Sequence, residues 1–372
     1  MPRSKMSHAV ALAIGLSAVS LQVLAQSHIS SNQNSPINAN GSSVIVDPNV
    51  TVTVNKMSTT DGFGNPTYSG HGVSISGAGA VALSSGAQYN FDTAGMGGVN
   101  YAVNVASGSF SATGAGIASA GAMADAVHMA GGGASVSLTN TNVSAQGFEG
   151  RTLTFVGGTA GAGNAATVTG GNLSSGQSEA ILMVNDNATA ILNGVTVSGT
   201  NAVHMSGGAG MANKLTASAS TLTGSSGSAL LMDGAAGAAT LTNSVATNSA
   251  SGVAAVSVVG TGNQLNMQNG FLTSIGAGSA ALNASGGVAN LVGDPGDLAQ
   301  FTVSIYLVLA LAAISAVDAR FGIIPDRLVF GLAIGGALQT GLFTGPAELL
   351  QRLCGAVAAM IGISLFRVAY RS

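Results

Sequence analysis

The chain has 372 residues, enough for two or three domains, yet 6% of them are charged and Gly accounts for 55. So few charges argue against an ordinary cytosolic enzyme and against charge-rich disorder, and a formal net charge of −3 leaves no basic footprint for nucleic acid. The single cysteine, Cys354, excludes an intrachain disulfide framework and a multi-cysteine zinc site; in its apolar run it reads as a small buried hydrophobe.

Residues 1–25 read as a signal peptide. Arg3 and Lys5 supply a positive start, Ala9 to Ser20 an apolar core, and Val23-Leu24-Ala25 the small-residue pattern that signal peptidase cuts. That core is too short to span a bilayer comfortably, so cleavage before Gln26 is expected rather than an uncleaved anchor. The mature chain from Gln26 is expected outside the cytoplasm.

Residues 26–297 alternate short apolar runs with Gly, Ser, Thr, Asn and Ala. Val50, Val52 and Val54 alternate with Thr51 and Thr53; Ala134, Val136 and Leu138 alternate with Ser135, Ser137 and Thr139. Leu215, Ala217 and Ala219 alternate with Thr216, Ser218 and Ser220. Period two is the strand pattern, and the intervening Gly and Asn suit turns with positive φ. A longer period overlies it. Ala126-Val127-His128-Met129 returns as Ala202-Val203-His204-Met205, with variants at Ala180-Ile181-Leu182-Met183, Ala229-Leu230-Leu231-Met232, Ala254-Ala255-Val256 and Ala280-Ala281-Leu282. From position 180 the copies are about 22 to 27 residues apart. That spacing, with several short strands per copy, predicts a parallel β-solenoid, in which each coil buries its apolar face only against its neighbours. The body resembles the Gly/Ser/Thr/Asn-rich passenger domains of autotransporters, which are right-handed β-helices. It departs from them in lacking the succession of alternating strands, each of about ten residues, that an outer-membrane barrel would need.

No active site is evident in this body. No Gly-Lys-Ser/Thr phosphate loop occurs, and the serines show no His/Asp partnership. His128 and His204 occupy equivalent places in two copies, but three coils would set them roughly 14 Å apart, too far to share a metal ion. Structural histidines are the expectation, and no metal or cofactor is expected. A solenoid without a pocket points to contact: a surface partner outside the cytoplasm, in an adhesive or structural role.

The chain changes character after the turn signal Gly293-Asp294-Pro295-Gly296-Asp297. Leu298 to Val317 and Leu328 to Ala347 are uncharged runs of the length that crosses a bilayer, about 20 residues, and Leu353 to Phe366 is a shorter third. Gly331, Gly335 and Gly336 suit close helix packing. Arg320, Arg327, Arg367 and Arg371 place the first loop and the C-terminus in the cytoplasm, which agrees with an exported body. The predicted fold class is therefore mixed: a parallel β-solenoid followed by an all-α transmembrane helical tail over 298–372. The lipid bilayer is its partner, and a multi-pass inner-membrane location with a periplasmic body is expected.

Asp318, seven intervening residues and Asp326, with Ile324-Pro325-Asp326 closing the loop, directly follow the first run. A carboxylate at a membrane boundary is costly to hold, hence a functional candidate; the alternative is a polar cytoplasmic turn. This segment resembles the first aspartate motif of type IV prepilin peptidases, polytopic aspartic endopeptidases. The resemblance covers about residues 303–372 and implies Asp318 as the first catalytic aspartate, Pro325 and Asp326 as motif-associated residues, and a prepilin-like leader peptide as substrate. The family's second aspartate lies in a Gly-x-Gly-Asp motif that this sequence does not contain. Paired-acid proteolysis needs two carboxyls, so a catalytically incomplete peptidase is expected. Two readings are open: a prepilin-peptidase-like membrane protein, and an exported β-helix anchored in the inner membrane. A recombined or truncated gene joining the two is a third.

Overall fold

A computed structural model describes residues 26–55, 59–60, 66–67, 70–92, 100–159, 161–184, 187–208 and 212–293. The signal-peptide segment 1–25 and the tail from 294 onward, with its expected helices, lie outside the described residues. Among the described residues there is no helix, and so none long and apolar enough to cross a membrane.

The described chain is a parallel β-solenoid of three sheets with 10, 11 and 9 strands. Each coil gives one strand to each sheet in turn, as in Ile181–Val184, Thr189–Asn193 and Thr196–Gly199. The first sheet runs from Ile37–Asn40 to Leu282–Ser285, the second from Gln26–Ile29 to Val288–Val292, and the third from Thr51–Asn55 to Phe271–Ser274. All three are parallel throughout; the antiparallel pair Thr59–Thr60 with Pro66–Thr67 sits in an insertion between the first two coils.

Alternation along each strand sends one set of side chains inward, and exact register stacks those sets into columns. Val103, Val127, Leu153, Ile181, Val203, Leu230 and Val256 pair in succession and are all buried. Two residues along, Val105, Met129, Phe155, Met183, Met205, Met232 and Val258 do the same. Burying each such side chain is worth about 1.5–3 kcal/mol, and a one-residue slip would turn the whole set to solvent. Register is therefore strongly specified. Larger rings enter where space is made for them: Tyr89 fits because Gly72 lacks a side chain, a Cβ there falling 2.3 Å from the Tyr89 hydroxyl.

The corner between the second and third sheets is turned by one left-handed residue per coil. Gly114, Asn140, Gly170, Gly194, Ala219, Asn243 and Asn269 hold φ between 48° and 65°, and each donates its N–H to a carbonyl of the following coil, as Asn140 does to Thr169. This corrects one expected alternation. Leu215 and Ala217 point inward, but Ala219 is exposed and Ser220 buried, because the positive φ at Ala219 ends the period-two run. Val52, Val54, Ala134, Val136 and Leu138 are buried as predicted.

Buried polar rungs recur in alternate coils. Asn164, Asn213 and Asn263 each precede a second-sheet strand and are at most 1% exposed. Their side-chain oxygens accept the N–H of Ala134, Ala188 and Gly237 in the preceding coil. Their amides donate to carbonyls of Val156, Met183 and Met232. Each asparagine thus gives an acceptor to a backbone N–H and a donor to a backbone carbonyl, mostly those of the coil before it.

Candidate functional site

The repeating Ala that opens the first-sheet motif is preceded by one outward position per coil. Going up the solenoid it holds His71, Tyr101, Asp125, Arg151 and Glu179, then Asn201, Ser228, Ala254 and Ala280. The backbone keeps this column in line: Gly72 donates to Tyr101, Ala102 to Asp125 and Ala126 to Arg151. Beside it runs the outward column of the first sheet, in which Asn104, His128, Thr154, Leu182, His204 and Leu231 are successive register partners.

The two columns interlock into a polar ladder along the long axis. The His71 and Tyr101 rings stack with centroids 5.0 Å apart, and Tyr101 lies over His128 at 3.6 Å, with interplanar angles of 7° and 5°. The Tyr101 N–H donates to His71 Nδ1 at 3.3 Å. Buried Asp125 binds His128 Nδ1 at 3.0 Å through one oxygen and accepts the Arg151 N–H at 3.0 Å through the other. Arg151 Nε donates to Glu179 Oε2 at 3.0 Å, and Ser178 Oγ donates to the same oxygen at 2.7 Å. Glu179 Oε1 lies 3.4 Å from His204 Nδ1, and His204 Nε2 lies 2.9 Å from Asp233 Oδ1.

The titration of these groups is set by that order. The hydrogen bond with His204 holds the Glu179 carboxyl far below the usual carboxylate range; burial opposes this, while Ser178 and Arg151 add to it. Burial pulls the His204 imidazole down, but Glu179 and Asp233 on its two nitrogens together outweigh burial and raise it above the ordinary value. Burial, with Asp125 beside it, pushes the Tyr101 phenol up to about 12. Along this stretch acidic and basic side chains alternate, from Glu179 between Arg151 and His204 to His204 between Glu179 and Asp233.

This arrangement locks coils together rather than gathering groups around a substrate atom. Glu179 and Asp233 take opposite nitrogens of His204, so the ring separates the two carboxylates. Among the described residues no three His, Cys, Asp or Glu side chains are grouped to hold a metal ion. His128 and His204 are three register steps apart, through Thr154 and Leu182, as the repeat spacing predicted. Asp318, Pro325 and Asp326 lie outside the described residues. Sequence reasoning found the two histidines but missed the column of their partners. The available signal was the residue before each repeating Ala, acidic at Asp125 and again at Glu179.

Neither a protein-family model, nor a curated protein, nor a solved structure matches the chain.

Proposed function

We propose that the body is an exported contact scaffold: a rigid β-solenoid that presents long polar faces to a partner outside the cytoplasm, like an autotransporter passenger in style. One observation carries this reading. The chemically active side chains, from His71 to Asp233, are committed to one another along an outer face, an arrangement that stiffens a surface and leaves no converging acid, base and nucleophile. Export rests on the signal-peptide pattern of residues 1–25, and inner-membrane retention on the apolar runs after Asp297.

A shortened rod tests it. Deleting residues 203–255 joins Ala202 to Val256 in register, removes two coils, and takes out His204 together with Asp233. Spheroplasts, in which removal of the outer membrane opens a periplasmic body to solvent, are expected to clump and to be retained on glass more with the full chain than with the shortened chain. Equal behaviour of both and of spheroplasts lacking the chain would sink the contact reading.

A second reading rests on the spacing of Asp318, Pro325 and Asp326 after an apolar run. There the tail is a prepilin-peptidase-like domain with Asp318 as its first acid and a leader peptide as its substrate. It requires leader cleavage by the full chain that disappears in Asp318→Ala.

A further inference from the structure

The solenoid does not end as it begins. Its first strand, Gln26–Ile29, is polar and covers the opening edge of the second sheet. Its last coil is apolar and open: Phe271, Ile275, Val288, Leu291 and Val292 are 46 to 77% exposed. Behind them a recess of about 260 Å³ is lined by Met267, Leu272, Leu282 and Leu291 among others. Among the described residues Val288–Val292, Leu282–Ser285 and Phe271–Ser274 are each the terminal strand of their sheet, so no further ladder among those residues pairs their outer backbone groups. No Asp, Glu, Lys or Arg occurs between Asp233 and Asp294.

The chain itself indicates what covers this end. Continuing the register of Gln268 with Val292 would set Pro295 opposite Phe271, where the ladder needs an N–H that proline lacks. A further coil in that register would therefore lack a ladder hydrogen bond at Pro295. Bilayer hydrocarbon would strand the open N–H and C=O groups of three sheet edges. The opposite end of a second copy is polar and exposed at Gln26, Ser27 and His28, a poor match for Phe271 and Ile275. Leu298, by contrast, is separated from Gly293 by Asp294 to Asp297 alone, so it starts within about 18 Å of the open end. A tether that short gives an effective concentration on the order of millimolar. The run from Leu298 to Val317 is uncharged and apolar, as is the surface it would meet.

We infer that the open C-terminal end of the solenoid is a docking surface whose occupant is the segment 298–317 of the same chain, held against Phe271, Ile275, Val288 and Leu291. This inference is independent of the contact reading, because shortening the rod by internal coils leaves the last coil untouched. It occupies the first apolar run with the solenoid and leaves membrane retention to the later runs, Leu328 to Ala347 and Leu353 to Phe366.

A photo-crosslinking residue tests it in the full chain in its native membrane. Phe271→p-benzoylphenylalanine places the probe on the open end at a position that is 69% exposed, where folding is least at risk; Thr196→p-benzoylphenylalanine, on an exposed site of the third sheet, is the control. The expected result is an intrachain product, mapped by mass spectrometry to residues 298–317, several-fold above the control. Products with lipid, products between two copies, or a yield no greater than the control would each overturn the inference.

Discussion

The coils up to Asp233 and those after it obey the same inner rules and differ on the outside. Both have apolar columns in register, a left-handed residue at the corner and buried asparagines in alternate coils. Yet the column before the repeating Ala holds His71, Tyr101, Asp125, Arg151, Glu179, Asn201 and Ser228 up to Asp233 and only Ala254 and Ala280 after it. The lesson is a separation of duties. Inward positions and corners carry the fold, and because a solenoid is held by nearest-neighbour contacts, outward positions can change wholesale without disturbing it.

If the two regions share one inner logic, damaging the same inner element in each should cost the same. Asn164→Leu lies in the charged region and Asn263→Leu in the uncharged one. Each leaves a buried N–H of the preceding coil, at Ala134 or Gly237, without its acceptor, and carbonyls without their donors. Each is expected to destabilise by about 2–4 kcal/mol, read by urea titration of the full chain with β-sheet circular dichroism. A much smaller loss at one site would show that the regions are not built alike.

How much of this was legible depended on whether a position demands a particular residue or only a volume. Ala-Val-His-Met and its variants were readable because small and apolar side chains recur at fixed places. Coils that went unread include one between the copies and one just before the first. Leu153–Phe155 is introduced by Thr152, whose buried hydroxyl donates to the Ala180 carbonyl and so substitutes for alanine in the core. Val103–Val105 carries Asn104 where the motif has His. The asparagine rungs were invisible because their partners are backbone groups about 25 to 30 residues away. The titratable ladder was hidden for a similar reason: Asp125, Arg151 and Glu179 are meaningless singly and become a line only when coils stack. Asp318, Pro325 and Asp326 belong to a part of the chain outside the described residues.

The outer difference between the regions has a pH signature. Because the folded His204 imidazole is raised above its ordinary 6.5, its contribution is fully present below that value and is lost as pH rises through the folded pKa. Glu179 runs the other way: its folded pKa is depressed from 4.5, so its contribution is present above that value and lost as pH falls toward the folded one. The ladder is therefore strongest between the two ordinary values, 4.5 and 6.5, and weakens on the alkaline side. The fall should be about 1 kcal/mol, and His204→Gln should flatten it. An alkaline limb equally steep in that variant would show that groups other than His204 set it.

The smallest effect concerns the corner, which both regions share. Six of the seven aligned corner residues are Gly or Asn, the types that tolerate a left-handed backbone. Ala219, with φ +49°, is the exception and sits at the junction of the two regions. Its methyl is exposed and its N–H is used, donating to the Thr242 carbonyl. Ala219→Gly relieves the strain of the Cβ but enlarges the conformational freedom of the unfolded chain; Ala219→Asn relieves less strain at less entropic cost. Since the left-handed penalty is about 1–2 kcal/mol and the glycine entropy cost about 0.5–1 kcal/mol, Ala219→Gly should stabilise by a few tenths of a kcal/mol up to about 1. In Asn243→Ala, one coil on, a residue that tolerates the left-handed backbone is replaced by one that does not, with no glycine entropy to offset it, which predicts a loss of about 1 kcal/mol. Matched denaturation curves of the two variants should shift in opposite directions. A shift of the same sign in both would mean that the corner is held by its inter-coil hydrogen bond regardless of the residue placed there.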